Sequence, residues 1–255
     1  DSINYSISYS VTDIIAGEVE VVGASLQTTF VSQDLTIPST VTNNALEYNV
    51  ISIADSAFKN MTSLTGVSIP DSVLSIGGSA FYGTNIEALE FSDASELTSI
   101  NSNAFRECSS LTSVKLPDTS YTIGSRGFGD CTSLINLDFG TGITSFGDGN
   151  TDIFNGCSSL VNVVLPASLE TLAAKLFKGC TAIKVVEAKM TVPITLSDAM
   201  FATESDMTLL VPVGSYDAYD QDTSWNRFGI IKGVFTDETF NKYIGINSFD
   251  IKGIP

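Results

Sequence analysis

Phe105-Arg106-Glu107-Cys108-Ser109-Ser110-Leu111-Thr112-Ser113-Val114-Lys115-Leu116-Pro117 is one copy of a pattern that returns along most of the chain. Its phenylalanine recurs as Phe58, Phe81, Phe105, Phe128, Phe154, Phe177 and Phe201, at intervals of 23, 24, 23, 26, 23 and 24 residues. A spacing in this range marks a solenoid, in which each repeat is one coil that buries its apolar edge only against its neighbours. Two more ladders run in register with the rings. Six residues after each phenylalanine (five in the second coil) stand Leu64, Ile86, Leu111, Leu134, Leu160 and Ile183. Three further on come Val67, Leu89, Val114, Leu137, Val163 and Val186, and two beyond those Ile69, Phe91, Leu116, Phe139, Leu165 and Ala188.

The pattern apolar-x-x-apolar-x-apolar ends in period two, which predicts a short strand with one buried face. Stacked coil on coil, such strands make a parallel sheet. Beyond them lie further apolar residues: Val73 and Ile76, Ile143 and Phe146, Leu169 and Leu172. The segment around each phenylalanine is too short for a long helix and is expected to be a helical turn or an irregular return on the opposite side. Proline follows the strand at Pro70, Pro117, Pro166 and Pro212, in every second coil, where its missing N–H ends ladder pairing.

All four cysteines, Cys108, Cys131, Cys157 and Cys180, fall three residues after a phenylalanine. They therefore occupy one position on successive coils, about 4.8 Å apart with parallel Cα–Cβ vectors. A disulfide needs Cβ atoms about 3.8 Å apart and turned toward each other, so the expectation is a column of free, buried thiols. Met61 and Thr84 continue it where cysteine is absent.

Composition narrows the function. The chain has 255 residues, 43% of them hydrophobic, and a net charge of −17 from 29 acidic and 12 basic residues. No basic footprint for nucleic acid is visible, so no nucleic-acid partner is expected. No run of 18 apolar residues occurs, so the chain is not expected to be membrane-embedded. Histidine is absent, which removes the Ser/His/Asp and Cys/His arrangements, and no Gly-rich loop ends in Gly-Lys-Ser/Thr. Lysine bases and carboxylate pairs leave no recognisable motif. No catalytic residue and no cofactor are expected. For a metal, Asp148-Gly149-Asn150-Thr151-Asp152 places oxygen ligands at alternate positions, as calcium loops do. The same residues suit a plain surface turn. Ile153 and Ser159 stand where an EF-hand would have Gly and Glu. Asp217, Asp220 and Asp222 form a second acidic group, again readable as a solvated face.

The quoted run, and equally Ala57-Phe58-Lys59-Asn60-Met61-Thr62-Ser63-Leu64-Thr65-Gly66-Val67-Ser68-Ile69-Pro70, resembles the BspA-type leucine-rich repeat. The resemblance covers about residues 30–232, and Leu210-Val211-Pro212-Val213-Gly214-Ser215-Tyr216 with Tyr219 and Trp225 is similar to the way such arrays close. It departs from the pattern at Gly127, where Ala is usual, in the long fourth coil with Gly147–Thr151, and after Val186. The resemblance implies a bacterial cell-surface or secreted protein that attaches to a protein or glycan. The expected fold is a right-handed α/β leucine-rich-repeat solenoid of about seven coils of 23–26 residues with stacked short parallel strands. An N-terminal β cap over 1–29 precedes a solenoid over 30–212, and a C-terminal cap and tail span 213–255. The first 29 residues read as strands at Tyr5–Val11 and Val19–Gly23. Trp225, Phe228, Ile230, Ile231, Val234 and Phe235 read as a lid on the last coil.

Function then rests on residues that flank the buried strand ladder and point outward. The candidates for a binding face are Ser68, Glu90, Ser113, Lys115, Asn136, Asp138, Asn162 and Glu187, with Gly66, Ala88, Val164 and Val185 beside them. Extended open faces are what solenoids use for binding. A solvated sheet face without a ligand, in a domain serving as a structural spacer, is the other reading. Lys175, Lys178, Lys184 and Lys189 make the single basic cluster.

Overall fold

Short segments with an aliphatic centre such as Ser113-Val114-Lys115 fit a pleated, half-buried surface, and each gains a parallel neighbour one coil away. A computed structural model of the chain describes residues 5–13, 17–26, 33–146, 149, 151–196, 200–201 and 204–234. The N-terminal strands are β1 (Tyr5–Asp13), β2 (Glu18–Leu26), β3 (Gln33–Thr36), β4 (Thr40–Asn43) and β5 (Leu46–Ile53). The repeats follow with β6 (Leu64–Ser68), β7 (Ser75–Ile76), β8 (Ala88–Glu90), β9 (Ser99–Ile100), β10 (Ser113–Lys115), β11 (Thr122–Ile123) and β12 (Asn136–Asp138). Then come β13 (Asn162–Leu165), β14 (Val185–Ala188), β15 (Thr208–Pro212) and β16 (Ile230–Val234). Helix among the described residues is limited to α1 (Tyr216–Gln221) and one 3-10 turn at Glu204–Asp206.

The result is a solenoid of stacked parallel strands. On one side of the coils β3 pairs with β6, β8 with β10 and β10 with β12, and β13 through β16 run on as a four-stranded sheet. A second sheet, not expected from the sequence, lines another side: β1-β2-β5-β7-β9-β11, with β4 paired to β5. Its coil strands contain two residues each. They align Ile53 with Ile76, Ile76 with Ile100, and Ile100 with Ile123, all buried. These isoleucines stand five residues before each phenylalanine.

The third side is the phenylalanine return, and it is neither helix nor strand. Two columns of residues have left-handed backbone. Two positions before the ring, Ser56, Ser79, Asn103, Arg126, Asp152 and Lys175 have φ between 55° and 60°. Two positions after it, Asn60, Gly83, Glu107, Asp130, Gly156 and Gly179 have φ between 59° and 78°. Alternating right- and left-handed residues point alternate N–H groups the same way, here toward the next coil. Ser56, Phe58 and Asn60 donate to the carbonyls of Gly78, Ala80 and Tyr82 at 2.9, 2.7 and 2.7 Å. The intervening N–H groups close local turns, as Lys59 does to the Ser56 carbonyl at 3.2 Å. A left-handed residue every four positions stops helix growth, which is why the return stays a pair of turns.

The core is one continuous body. Successive rings from Phe58 to Phe201 stack with centroids 4.9 to 5.7 Å apart and planes within 17°. That spacing exceeds the roughly 4.8 Å between paired strands, so the returns lie on the outside of the bend and the strands on the inside. The long fourth coil is filled by Phe139, which meets Phe146 and Phe154 edge-on at 5.4 and 5.6 Å. Gly127 is there because a Cβ would come 2.5 Å from the Ile123 side chain. At the C-terminal end Phe228 packs edge-on against Phe201 at 5.7 Å, with Trp225 and Tyr219 behind it. Trp225 donates from Nε1 to the Ile194 carbonyl at 2.6 Å, and the Tyr219 hydroxyl donates to Met190 at 2.9 Å. The expected lid is thus Trp225 and Phe228, whereas Ile230 is half exposed on β16. Phe235 and residues 236–255 lie outside the described residues.

The four thiols are free and buried. Each donates to the carbonyl of the preceding coil's phenylalanine, Cys108 to Phe81, Cys131 to Phe105, Cys157 to Phe128 and Cys180 to Phe154, at 3.1 to 3.2 Å. The column packs inside the core and is held by weak hydrogen bonds.

Candidate functional site

The side chains that alternate with the buried ladder emerge on the inner sheet. Leu89 and Val114 are buried, while their neighbours Ala88, Glu90, Ser113 and Lys115 reach the surface. Register fixes who stands beside whom. Ser113 lies between Ala88 and Asn136, and Lys115 between Glu90 and Asp138. Further along, Asn162 neighbours Val185, and Val164 neighbours Glu187.

Of the eight candidates, Glu90, Ser113, Lys115, Asn136, Asp138 and Asn162 line one groove of about 380 Å³. Ser68 shares a different hollow with Glu90, beside Pro70 and Asp71. Glu187 is partly buried on β14, between Val164 and Leu210 in register, and lines neither hollow. The groove continues past the strand ends into a larger one of about 770 Å³, bounded by Asp93, Asp118, Thr141, Ser168 and Lys189. The two share Lys115, Leu137, Asp138 and Val164.

Charge in the joined groove is unevenly matched. Lys115 Nζ lies 3.2 Å from Asp93 Oδ1 and 3.8 Å from Glu90 Oε1. The hydrogen bond and charge of Asp93 hold this ammonium above its usual range. Asp118 Oδ1 accepts from the Thr141 backbone N–H at 2.7 Å and hydroxyl at 3.0 Å. Asp138 Oδ1 accepts from the Gly140 N–H at 2.9 Å. Their acceptors thus order the loop that follows β12.

The sequence reading missed two floor residues. Ile135 and Val161 precede their strands by one position, where the other coils have Thr65, Glu87, Thr112 and Lys184. They are 50% and 41% exposed and stand with Val164, 36% exposed, in the smaller groove. An apolar residue at a position that is polar elsewhere was the available signal. The four lysines do not form one patch: Lys175 and Lys178 sit on the phenylalanine turn, and Lys184 and Lys189 flank β14.

For metals, Asp148 and Asn150 lie outside the described residues. Asp217 and Asp220 are exposed on α1, whereas Asp222 accepts from the Ser224 N–H at 2.8 Å and hydroxyl at 2.6 Å. Burial raises the Asp222 carboxyl, but these bonds and the Trp225 N–H outweigh it and leave it below the usual range. Asp222 serves as a turn acceptor. No group of three His, Cys, Asp or Glu among the described residues is arranged to hold a metal ion. No described helix is long and apolar enough to cross a membrane.

The model of the BspA type leucine rich repeat region matches residues 37–151 and 150–211, in six copies. Among solved structures, the pneumococcal vaccine antigen PcpA is similar at 19% identity, over 82% of this chain and 64% of that one, with a TM-score of 0.59. A leucine-rich repeat protein from Bacteroides ovatus is 19% identical over 80% of this chain and 77% of that chain, with a TM-score of 0.44. The T. pallidum leucine rich repeat protein TpLRR is 18% identical over 95% and 94%, with a TM-score of 0.47. No curated protein matches the chain.

Proposed function

We propose a function from one premise, that this chain belongs to the BspA-type leucine-rich-repeat family: it is a non-enzymatic binding module that recognises a protein or glycan through the inner sheet of its solenoid. A leucine-rich-repeat solenoid typically carries no catalysis, and it suits a binding or surface module. One observation carries the reading. Inward positions repeat from coil to coil as Val67, Leu89, Val114, Leu137, Val163 and Val186, four of them buried and Val67 and Leu137 partly so. The outward positions beside them vary in size and charge: Ser68, Glu90, Lys115, Asp138, Val164 and Glu187, with only glutamate used twice. A scaffold that repeats inside and varies outside presents one continuous surface with its own chemistry. The likeness to a pneumococcal vaccine antigen supports a place on the bacterial surface or outside the cell.

The test is a screen of the chain over residues 1–255 on arrays of extracellular host proteins and of glycans. The reading expects at least one ligand whose binding is lost on Asn136→Lys together with Asn162→Lys, which crowd the groove and carry no ion pair. A complete absence of ligands speaks for the second reading, a structural spacer in a larger surface protein. The unbroken ring column and the hydrogen-bonded returns favour that alternative, since both stiffen the rod.

A further inference from the structure

We infer that the joined groove over β10 to β13 takes an extended cationic polypeptide segment that alternates basic and aliphatic side chains. This rests on the reading of the inner sheet as a binding surface and names the chemistry of its partner. Three observations carry it.

The first is apolar exposure. Ile135, Val161 and Val164 converge on one groove floor, at 50%, 41% and 36% exposure. An aliphatic side chain set among them removes apolar surface from water on both partners. The second is charge. Among the described residues Glu90, Asp93, Asp118 and Asp138 line the two hollows against Lys115 and Lys189, four carboxylates to two ammonium groups. Lys115 is taken by Asp93 and Glu90. Asp118 and Asp138 have Thr141 and Gly140 as donors and no ion pair among the described residues. The excess of carboxylates over ammonium groups complements a cation and rejects an anion. The third is that no exposed aromatic face occurs among the described lining residues: Phe139, the aromatic ring of this lining, is 2% exposed. A sugar ring finds no plane to stack on, which favours polypeptide over glycan. In an extended segment successive side chains point to opposite sides. Aliphatic residues therefore reach the floor while the intervening cations reach the carboxylate rim.

Three labelled octapeptides test this by fluorescence anisotropy: alternating lysine and leucine, glutamate in place of lysine, and serine in place of leucine. The first is expected to bind, with an affinity that falls severalfold as ionic strength rises from about 0.05 to 0.3 M. Loss of about tenfold or more is expected for the glutamate peptide and about fivefold for the serine peptide. Asp118→Asn with Asp138→Asn keeps both acceptor oxygens and hence the loop, and should weaken binding about fivefold. Asp217→Asn with Asp220→Asn removes the same charge from α1 and should leave it unchanged. Equal loss in the two double variants would mean attraction to the net charge alone and overturn the assignment, as would equal binding of the glutamate peptide. If all three octapeptides stay inert while an array ligand is still displaced by Val164→Lys, the cationic assignment falls and the binding face stands. If every groove variant leaves every ligand unmoved, both fall.

Discussion

Phe105→Ala removes the middle of the ring column. Phe105 is wholly buried, with Phe81 at 5.0 Å and Phe128 at 5.2 Å, both within 5° of parallel. Truncating a buried phenylalanine costs about 3–5 kcal/mol in lost transfer energy and residual cavity. The returns above and below are tied by the Phe81 to Ala104 and Phe105 to Gly127 hydrogen bonds, at 2.7 and 2.8 Å. They leave little room for collapse, which puts the expected loss in the upper half of that range. Phe105→Leu keeps most of the apolar volume and loses the two ring contacts, worth about 0.5–1.5 kcal/mol each, so about 1–3 kcal/mol is expected. Phe58→Ala has one ring neighbour in the column, Phe81 at 4.9 Å, and should cost less than Phe105→Ala. Urea denaturation followed by circular dichroism measures all three. A loss below about 1.5 kcal/mol for Phe105→Ala, or equal losses for Phe105→Ala and Phe58→Ala, would refute the reasoning that the column acts through its neighbours.

Lys175 is exposed at φ 58°. Lys175→Gly relieves a left-handed cost that exceeds the added unfolded-chain entropy, and should raise stability by about 0.5–1 kcal/mol in the same denaturation assay. The thiols are free and buried, so the urea midpoint should be the same with and without reductant. An aromatic disulfide reagent should titrate Cys108, Cys131, Cys157 and Cys180 only after unfolding. The carboxyl of Asp222 is lowered in the fold, so its contribution is present above the unfolded value of about 3.9 and is lost as pH falls through the folded one. Asp222→Asn should flatten that acid limb of the melting temperature against pH, and an unchanged limb would count against the turn-acceptor role.

The inner strand and ring columns were legible because large apolar residues recur at fixed offsets in six or seven copies. The second sheet was not. A two-residue strand such as Ser99–Ile100 offers one apolar residue and no alternation, so nothing marks it as extended. Left-handed positions were hidden because Ser56, Arg126 and Lys175 fill them where glycine would have signalled a turn. The β4–β5 hairpin was missed for a similar reason. Its turn residues Asn44 and Ala45, at φ 50° and 63°, lack the glycine that usually announces such a turn. On the candidate face, period two located Glu90, Lys115, Asp138 and Asn162. Asp93, Asp118 and Thr141 came into the groove only through the loops after the strands, whose course no repeat dictates.

The most direct test of the account replaces Glu90, Lys115, Asp138, Asn162 and Glu187 together by serine and measures melting temperature and ligand capture side by side. These side chains lie on the solvent side of the inner sheet, so the melting temperature should shift by no more than a few degrees, while capture of any ligand found on the arrays should vanish. Capture that persists on the serine face, or a variant that no longer folds, would contradict a repeating scaffold whose function resides in its outward strand residues.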